Sequence, residues 1–569
     1  MLLSEKGQCT SRELPFQRKD AKRYGERIPV EVSVIRSLII LLCALALNAQ
    51  EVRLQVLATT DLHGHVLARD SYTLQPVNLG WAKLATLIRS KRAQNPATLL
   101  VDSGDLISGE PINYIRNRLR PDLAEPSVAI MNALGYQAMA VGNHEFDFGF
   151  PLLRSVEEQA KFPFLAANIV FSATGKPAFT PYVKIEVAGL QVAILGLSMA
   201  AVPSASDPTN WEGLKFLDPV ETAKGLVPRL RETEKVDLVL VIIHGGLAKG
   251  PCSDWSGTPV QCLAEKVPGI DLILAGHTHE ALTTRVAGVP VLQAQAHGRA
   301  LGVAELLLHR DKNRWVVQGC ETRLERPAAD TAEDSEVLQL TAPLRAATET
   351  YLSTFATDLA DDLDGRWSRM EDTTLVQLLH TVQRRATGAQ LSAISSPGSR
   401  IFIPKGATSI RQFYALAPYE DRVARLHITG AQLRKYLEHT ARFFERSYQS
   451  NLFNPEVKPQ DYDMVSGVSY ALDISRPFGS RVVSLSYQGF PVREDQIFTL
   501  AITTYRLAGG GGYLEAMGFR GQPEMVSTAS LRNLLLEYVL SKPSLAIPLA
   551  NNWRIIPALD RERVLTQQP

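Results

Sequence analysis

Five short polar motifs follow five apolar runs in the first half of this 569-residue chain, and their order is the feature that most constrains its fold. The runs are rich in β-branched residues and bounded by glycine, which is typical of buried strands. The motifs are Asp61-x-His63, Gly104-Asp105, Gly142-Asn143-His144-Glu145, His244-Gly245-Gly246 and Gly276-His277-Thr278-His279. Open α/β sheets place their sites at strand ends, so we expect these five strand ends to converge.

The residue types of the motifs indicate a centre of two metal ions. Two divalent ions about 3.5–4 Å apart need a shared carboxylate and nitrogen or oxygen ligands around them. Imidazole and carboxylate suit manganese, zinc, iron or cobalt, and the absence of cysteine argues against a closed structural zinc site. Any one motif alone could be a solvated turn or a locally bonded histidine. The ordered set of five predicts a metal site.

With these motifs the chain resembles the calcineurin-like metallophosphoesterases, and within them the branch of 5'-nucleotidases and 2',3'-cyclic-nucleotide 2'-phosphodiesterases. The resemblance covers residues 51 to 555. It implies that one metal is held by Asp61, His63, Asp105 and His279, and the other by Asp105, Asn143, His244 and His277, with Asp105 bridging. It also implies that His144 protonates the leaving oxygen and that Asp147 orients His144.

The order of elements predicts the domain organisation. Residues 51–326 alternate strands with amphipathic helices, which indicates a layered α/β sandwich, and the resemblance implies the four-layer α/β/β/α form. Residues 327–360 are rich in Ala, Thr, Glu and Leu and predict a connecting helix. Residues 361–555 are expected to form a C-terminal α+β domain of the 5'-nucleotidase type.

The C-terminal segment resembles the family's nucleotide-binding domain. In that family two aromatic rings sandwich the nucleobase, and the matching positions here are Tyr419 and Tyr505. The Asn-Gly-Gly-Gly-x-Arg segment of typical 5'-nucleotidases is absent, and Gly511 stands where they carry an acidic residue. These departures, with the segments around Gly104–Gly109 and Tyr462–Met464, favour a 2',3'-cyclic-nucleotide 2'-phosphodiesterase and 3'-nucleotidase.

Three other functions stay open at this point. A 5'-nucleotidase or UDP-sugar hydrolase is the first alternative, and a thiosulfate-pathway thiohydrolase with the same metal set is the second. The third is a non-catalytic nucleotide-binding protein, which would be expected to have lost metal ligands.

Charge limits the partners. Lys and Arg total 60 against 59 Asp and Glu, a formal net charge of +1. That balance offers no basic field for a nucleic-acid polymer. We expect a small nucleotide as substrate and a monomeric protein.

The N-terminus and the cysteines indicate export. Residues 1–49 end in a short apolar stretch after Arg36, with small residues suited to cleavage, as in a secretory signal peptide. We therefore expect a periplasmic or secreted protein with no membrane span after cleavage, and the alternative is an uncleaved membrane anchor. In an oxidising compartment Cys252 and Cys262, which flank a loop rich in Gly, Pro and Ser, favour a local disulfide, and Cys320 is left over. The alternative is two unpaired thiols.

Overall fold

The computed structural model describes residues 51–247, 257–312, 314–398, 401–446 and 448–567. The predicted signal segment, residues 1–49, lies outside the described residues. In the part of the chain that is described, no helix has both the length and the apolar character needed to cross a bilayer.

Two six-stranded sheets form the N-terminal half. All five predicted strands are present, and within each sheet those that carry motifs run parallel to one another. Their carboxyl ends therefore lie along the same edge of each sheet. The first sheet has the order Arg314–Glu325, Leu301–Asp311, Glu51–Thr59, Thr98–Asp102, Ala138–Ala140, Phe164–Leu165. The second has the order Leu282–Val286, Val289–Gln293, Leu272–Ala275, Leu238–His244, Leu190–Ser198, Tyr182–Val187.

The two sheets pack face to face with helices outside them. Neighbouring residues of one strand point to opposite faces, so Val56 packs in the core between the sheets while Leu57 packs against the outer helices. In the second sheet Ile242 and Ile243 divide in the same way. The predicted four-layer α/β/β/α sandwich is confirmed.

The outer layers are short helices. Those over the first sheet are Trp81–Gln94 and Pro126–Leu134, and those over the second are Pro219–Pro228 and Val260–Lys266. The remaining helices of this half are Pro111–Tyr114, Ile115–Leu119, His144–Phe146, Phe150–Glu157, Val202–Ala205, Pro208–Trp211 and Arg229–Thr233. A two-stranded sheet pairs Ile169–Phe171 with Leu214–Phe216.

The connecting helix is Ser335–Leu352, which is shorter than the predicted range of 327–360. It begins where Asp334 accepts hydrogen bonds from the backbone N–H groups of Glu336 and Val337. Beyond its end the chain enters the strand Phe355–Leu359, which pairs with two other strands. The Ala- and Thr-rich composition extended the predicted helix past this pairing.

The C-terminal half is a mixed α+β domain, as predicted. Its five-stranded sheet has the order Asp463–Ser466, Leu391–Ser395, Ile497–Thr503, Arg422–Thr429, Met525–Ser530. A four-stranded sheet has the order Phe490–Pro491, Val482–Tyr487, Ser469–Asp473, Trp553–Ile556. A three-stranded sheet has the order Gly406–Ser409, Phe355–Leu359, Ser544–Leu545, and a two-stranded sheet pairs Leu363–Asp364 with Phe402–Ile403. The helices are Thr374–Thr387, Ile410–Tyr414, Gly430–Thr440, Ala441–Phe443, Pro459–Asp461, Thr504–Leu507, Gly510–Gly512, Tyr513–Ala516, Leu531–Leu540 and Arg561–Gln567.

The described residues test part of the disulfide prediction. Cys262, in the helix Val260–Lys266, is disulfide-bonded. Its expected partner, Cys252, lies outside the described residues. Among the residues described, Cys320 is a free, buried thiol.

The two halves meet around the fully buried Arg532. Its guanidinium lies 4.1 Å from the ring centroid of Tyr114 in the N-terminal half and 4.7 Å from that of Tyr414 in the C-terminal half. It also donates to the carbonyl of Pro418 and to the carboxylate of Glu420. Arg532 therefore fixes both neighbours of Tyr419 while it stacks against the other half.

Replacing Arg532 with lysine is expected to lower the free energy of unfolding by about 1–2 kcal/mol, because an ammonium keeps the charge but loses planar stacking and forked donation. Urea denaturation would measure the change. Arg493→Lys is the matched control, since Arg493 is an exposed ion-pair residue. Equal small effects in both variants would contradict a role for Arg532 in holding the interface.

Candidate metal centre

The structure brings the seven predicted metal-ligating residues together at the strand ends. In the first half of this cluster, Nε2 of His63 and Nε2 of His279 lie 3.1 Å apart. Nε2 of His279 lies 3.4 Å from Oδ1 of Asp61. The Asp61 carboxylate is fixed by Thr60 and by the backbone N–H of His277.

The second half of the cluster is built around Asn143. Its Oδ1 lies 3.0 Å from Nε2 of His244 and 3.1 Å from Nδ1 of His277. Oδ2 of Asp105 lies 3.1 Å from Nε2 of His244 and 3.8 Å from Nε2 of His63. One carboxylate therefore faces both halves, as a bridging ligand must.

Backbone carbonyls orient two of these imidazoles. Nδ1 of His63 donates to the carbonyl of Ser108, and Nδ1 of His244 donates to that of Ser103, each at 2.8 Å. With the proton held on Nδ1, the lone pair on Nε2 is free to bind a cation, which is the usual arrangement of metal-ligating histidines. The donor set thus fits two divalent ions.

Backbone strain is concentrated in the same cluster. Asp61, His63, Asp105, His277 and His279 all have positive φ angles, between 48° and 76°. Left-handed backbone is uncommon for residues other than glycine, and it gathers where a site requires it.

The buried Glu145 carboxylate holds two of the motif loops together. It accepts hydrogen bonds from the backbone N–H groups of Asp105, Leu106 and Gly142. A Cβ at Gly142 would lie 2.2 Å from Oδ1 of Asp105, so only glycine fits there. Glu145 was not among the predicted site residues, although it belongs to the Gly-Asn-His-Glu motif.

His144 and Asp147 form a hydrogen-bonded pair beside the cluster. Nδ1 of His144 lies 2.7 Å from Oδ2 of Asp147, which also accepts from the hydroxyl of Ser108. Burial alone would lower the pKa of His144, but the carboxylates of Asp147 and Asp105 outweigh it and hold that pKa well above its usual value. This arrangement favours a protonated imidazole, which is a proton donor.

Tyr419 from the C-terminal half stacks on His144. The two ring centroids are 5.4 Å apart and the ring planes differ by 21°. Asp421 follows two residues later and accepts from the backbone N–H of Tyr505 at 3.2 Å. Burial, and then Asp147, raise the pKa of Asp421 to about 6. The segments of both predicted stacking tyrosines are thus joined through Asp421 next to the His144–Asp147 pair.

Comparisons with known proteins agree with this geometry. The sequence model of the calcineurin-like phosphoesterases matches residues 54–281, and that of the 5'-nucleotidase C-terminal domain matches residues 351–518. The crystal structure of the calcineurin-like phosphoesterase YfkN from Bacillus subtilis is 30% identical, covers 53% of this chain and 99% of its own, and superposes with a TM-score of 0.50.

Two curated relatives cover most of the chain. The 2',3'-cyclic-nucleotide 2'-phosphodiesterase/3'-nucleotidase of Yersinia enterocolitica is 28% identical over 85% of this chain and 84% of its own. The trifunctional nucleotide phosphoesterase protein YfkN of Bacillus subtilis is 27% identical over 90% of this chain, which spans only 39% of that longer protein.

The chain belongs to the calcineurin-like phosphoesterases, in the branch that carries a 5'-nucleotidase C-terminal domain. It is a phosphoric ester hydrolase that uses two divalent metal ions.

Proposed function

We propose that this protein is an exported nucleotide phosphoesterase that acts on 2',3'-cyclic nucleotides and on 3'-nucleotides. The observation that carries the proposal is the contact between Tyr419 and His144. It sets an aromatic ring of the C-terminal domain against the proton donor of the N-terminal domain. A nucleoside attached to a phosphoryl group at the metal centre therefore has an aromatic surface within reach.

The Gly-rich loop supports the cyclic-nucleotide branch. A Cβ at Gly511 would lie 2.7 Å from Nη1 of Arg506 and 2.8 Å from Oδ1 of Asp461. The space of a side chain is already filled by an ion pair between the buried Arg506 and the half-buried Asp461, 2.9 Å apart. The loop cannot carry the acidic residue of typical 5'-nucleotidases without rearrangement. The Yersinia relative, named for the cyclic activity, supports the same choice.

The metal ligands proposed are Asp61, His63, Asp105, Asn143, His244, His277 and His279, in the two sets that the resemblance implies. When bound, the two ions supply Lewis-acid polarisation of the phosphoryl group and a water of lowered pKa. The carboxylate of Asp105 serves both halves of the centre.

The chain's own residues supply the proton. His144 donates to the departing ribose oxygen, while Asp147 and Ser108 hold the imidazole in place. On a 2',3'-cyclic nucleotide, water adds to phosphorus, the P–O2' bond breaks and the 2'-oxygen takes the proton, which leaves a 3'-nucleotide. A second water then breaks the P–O3' bond and releases phosphate.

A substrate panel tests the proposal. Phosphate release would be measured with 2',3'-cyclic AMP, 3'-AMP, 5'-AMP and UDP-glucose, with and without Mn²⁺. The 2',3'-cyclic AMP reaction would be followed by separating its nucleotide product. Preference for 2',3'-cyclic AMP and 3'-AMP supports the proposal, whereas preference for 5'-AMP or UDP-glucose assigns the 5'-nucleotidase alternative. No turnover of any nucleotide would contradict both.

Replacing Tyr505 with alanine is expected to lower kcat/KM on 2',3'-cyclic AMP by about 5- to 150-fold, the equivalent of one stacked base at about 1–3 kcal/mol. Hydrolysis of bis-p-nitrophenyl phosphate, which has no base, should change little. Tyr505 is the sharper of the two tyrosines to test, because Tyr419 contacts His144 and its loss would disturb both substrates. Equal losses on both substrates in Tyr505→Ala would mean that Tyr505 supports the fold and not the base.

A further inference from the structure

A sixth strand of the sandwich is also followed by a histidine that lies beside the candidate metal centre. The strand Val289–Gln293 pairs in parallel with Leu272–Ala275, and His297 follows it by four residues. The His297 ring lies 5.4 Å from that of His279 and 5.7 Å from that of His63, centroid to centroid. One ring nitrogen from each of these three residues falls within a 4.8 Å cluster.

The backbone holds His297 in the same manner as the proposed ligands. Its φ angle is 63°, in the left-handed region. Its N–H donates to the carbonyl of Asp61 at 2.8 Å, and its own carbonyl accepts from Gly80 at 2.8 Å. The backbone of His297 is thus hydrogen-bonded directly to the loop that carries Asp61, a proposed ligand.

The hydrogen bond made by its Nδ1 distinguishes His297 chemically from the histidines proposed as metal ligands. Nη1 of Arg299 lies 2.8 Å from that nitrogen. A guanidinium has donors only, so Nδ1 of His297 must accept, and the ring proton must be on Nε2. This is the opposite tautomer to that of His63 and His244, whose Nδ1 atoms donate to carbonyls. With Nδ1 occupied and Nε2 protonated, His297 is a donor and not a ligand.

Arg299 adds positive charge at this place. It is half-buried, and within the described residues no carboxylate forms an ion pair with it. The other histidine near His297, His65, is 4.3 Å away between ring centroids and lies 3.4 Å from the Glu110 carboxylate through its Nδ1. The region next to His297 therefore offers a hydrogen-bond donor and a cation to an anion.

We propose that His297, oriented by Arg299, donates a hydrogen bond to a phosphoryl oxygen of the bound substrate. His297 is then a substrate-binding residue and Arg299 a positioning residue. The proposal rests on the phosphoesterase activity of the site but on no particular nucleotide.

The test uses the full-length, Mn²⁺-loaded protein and inorganic phosphate as the probe. His297→Phe removes the donor, His297→Gln keeps an N–H donor, and Arg299→Leu removes the group that orients the ring. Calorimetry would give the phosphate dissociation constant, elemental analysis the metal content, and bis-p-nitrophenyl phosphate the kcat and KM. Phosphate binding needs no turnover, so this test remains valid if the proposed nucleotide specificity fails. His427→Phe, an exposed histidine of the C-terminal half, is the control.

We expect His297→Phe to retain both metals and to weaken phosphate binding by about tenfold or more, as for one hydrogen bond to a charged group. His297→Gln should restore most of the affinity for phosphate. The affinity of Arg299→Leu should lie between that of the unaltered protein and that of His297→Phe. Loss of a metal in His297→Phe would make His297 a ligand and overturn the proposal. Unchanged phosphate binding, or a glutamine variant as weak as the phenylalanine variant, would also overturn it.

Discussion

Replacing Asp105 with asparagine is expected to lower kcat/KM by at least about 10³-fold and to reduce the metal content of the protein. The carboxylate faces His63 and His244 from one oxygen, and its other oxygen accepts from the backbone N–H of His144. An amide of the same shape preserves the fold but removes the negative charge that we propose both ions share. Stabilisation by metal ions is worth several kcal/mol, which corresponds to this loss. Elemental analysis and steady-state kinetics would measure both effects.

Asp102 provides a matched control for that experiment. It is a fully buried aspartate three residues earlier, and it accepts hydrogen bonds from Thr59 and from the backbone of Gly104. Burial raises the pKa of its carboxyl group well above the usual range, and Asp102 is not among the proposed metal ligands. Asp102→Asn should therefore keep its metals and most of its activity. Full metal occupancy with near-normal turnover in Asp105→Asn would remove Asp105 from the bridge.

Replacing His144 with alanine is expected to reduce kcat by about 10²–10⁴-fold, the contribution typical of a general acid. Both metals should stay bound, because the proposed ligand sets do not include His144. The fall in kcat should be smaller on esters of p-nitrophenol than on nucleotides, because a good leaving group needs little protonation. Comparing kcat for p-nitrophenyl phosphate and for 3'-AMP would measure the difference.

A second variant distinguishes the loss of the proton donor at His144 from indirect damage to the surrounding structure. Tyr419 loses its stacking partner in the alanine variant, so His144→Gln, which keeps a planar polar group there, serves as the second variant. It should be as slow as His144→Ala on 3'-AMP. Loss of a metal ion from either variant would instead assign His144 to the metal centre.

The strand ends were predictable from sequence because two signals coincide there. Apolar runs such as Leu238–His244 predict strands, and a polar motif stands at or directly after the end of each run. His297 escaped notice because three residues, Ala294 to Ala296, separate it from its strand. Since a loop and not the strand itself carries His297, spacing along the sequence does not reveal its proximity to the centre.

Contacts between the two halves could not be predicted in the same way. Arg532 and Tyr114 are more than 400 positions apart, and neither belongs to a motif. Tyr419 was expected near a nucleobase, but its stacking on His144 depends on how the domains pack. Periodicity describes a local element. The docking of one domain on another depends on side chains that meet only in the folded protein.

The left-handed backbone at the proposed metal ligands lowers stability at positions that we expect activity to need. Each such residue costs about 1–2 kcal/mol relative to an unstrained one, with aspartate near the low end. Glycine at His279 or His277 would relieve that cost locally, and the chain would become more heat-resistant while losing a ligand. Selection for thermal resistance alone would therefore favour the replacement of these histidines one after another. Heat-stable variants recovered without an activity screen should carry changes at these positions, and a screen that couples heating to turnover should not recover them.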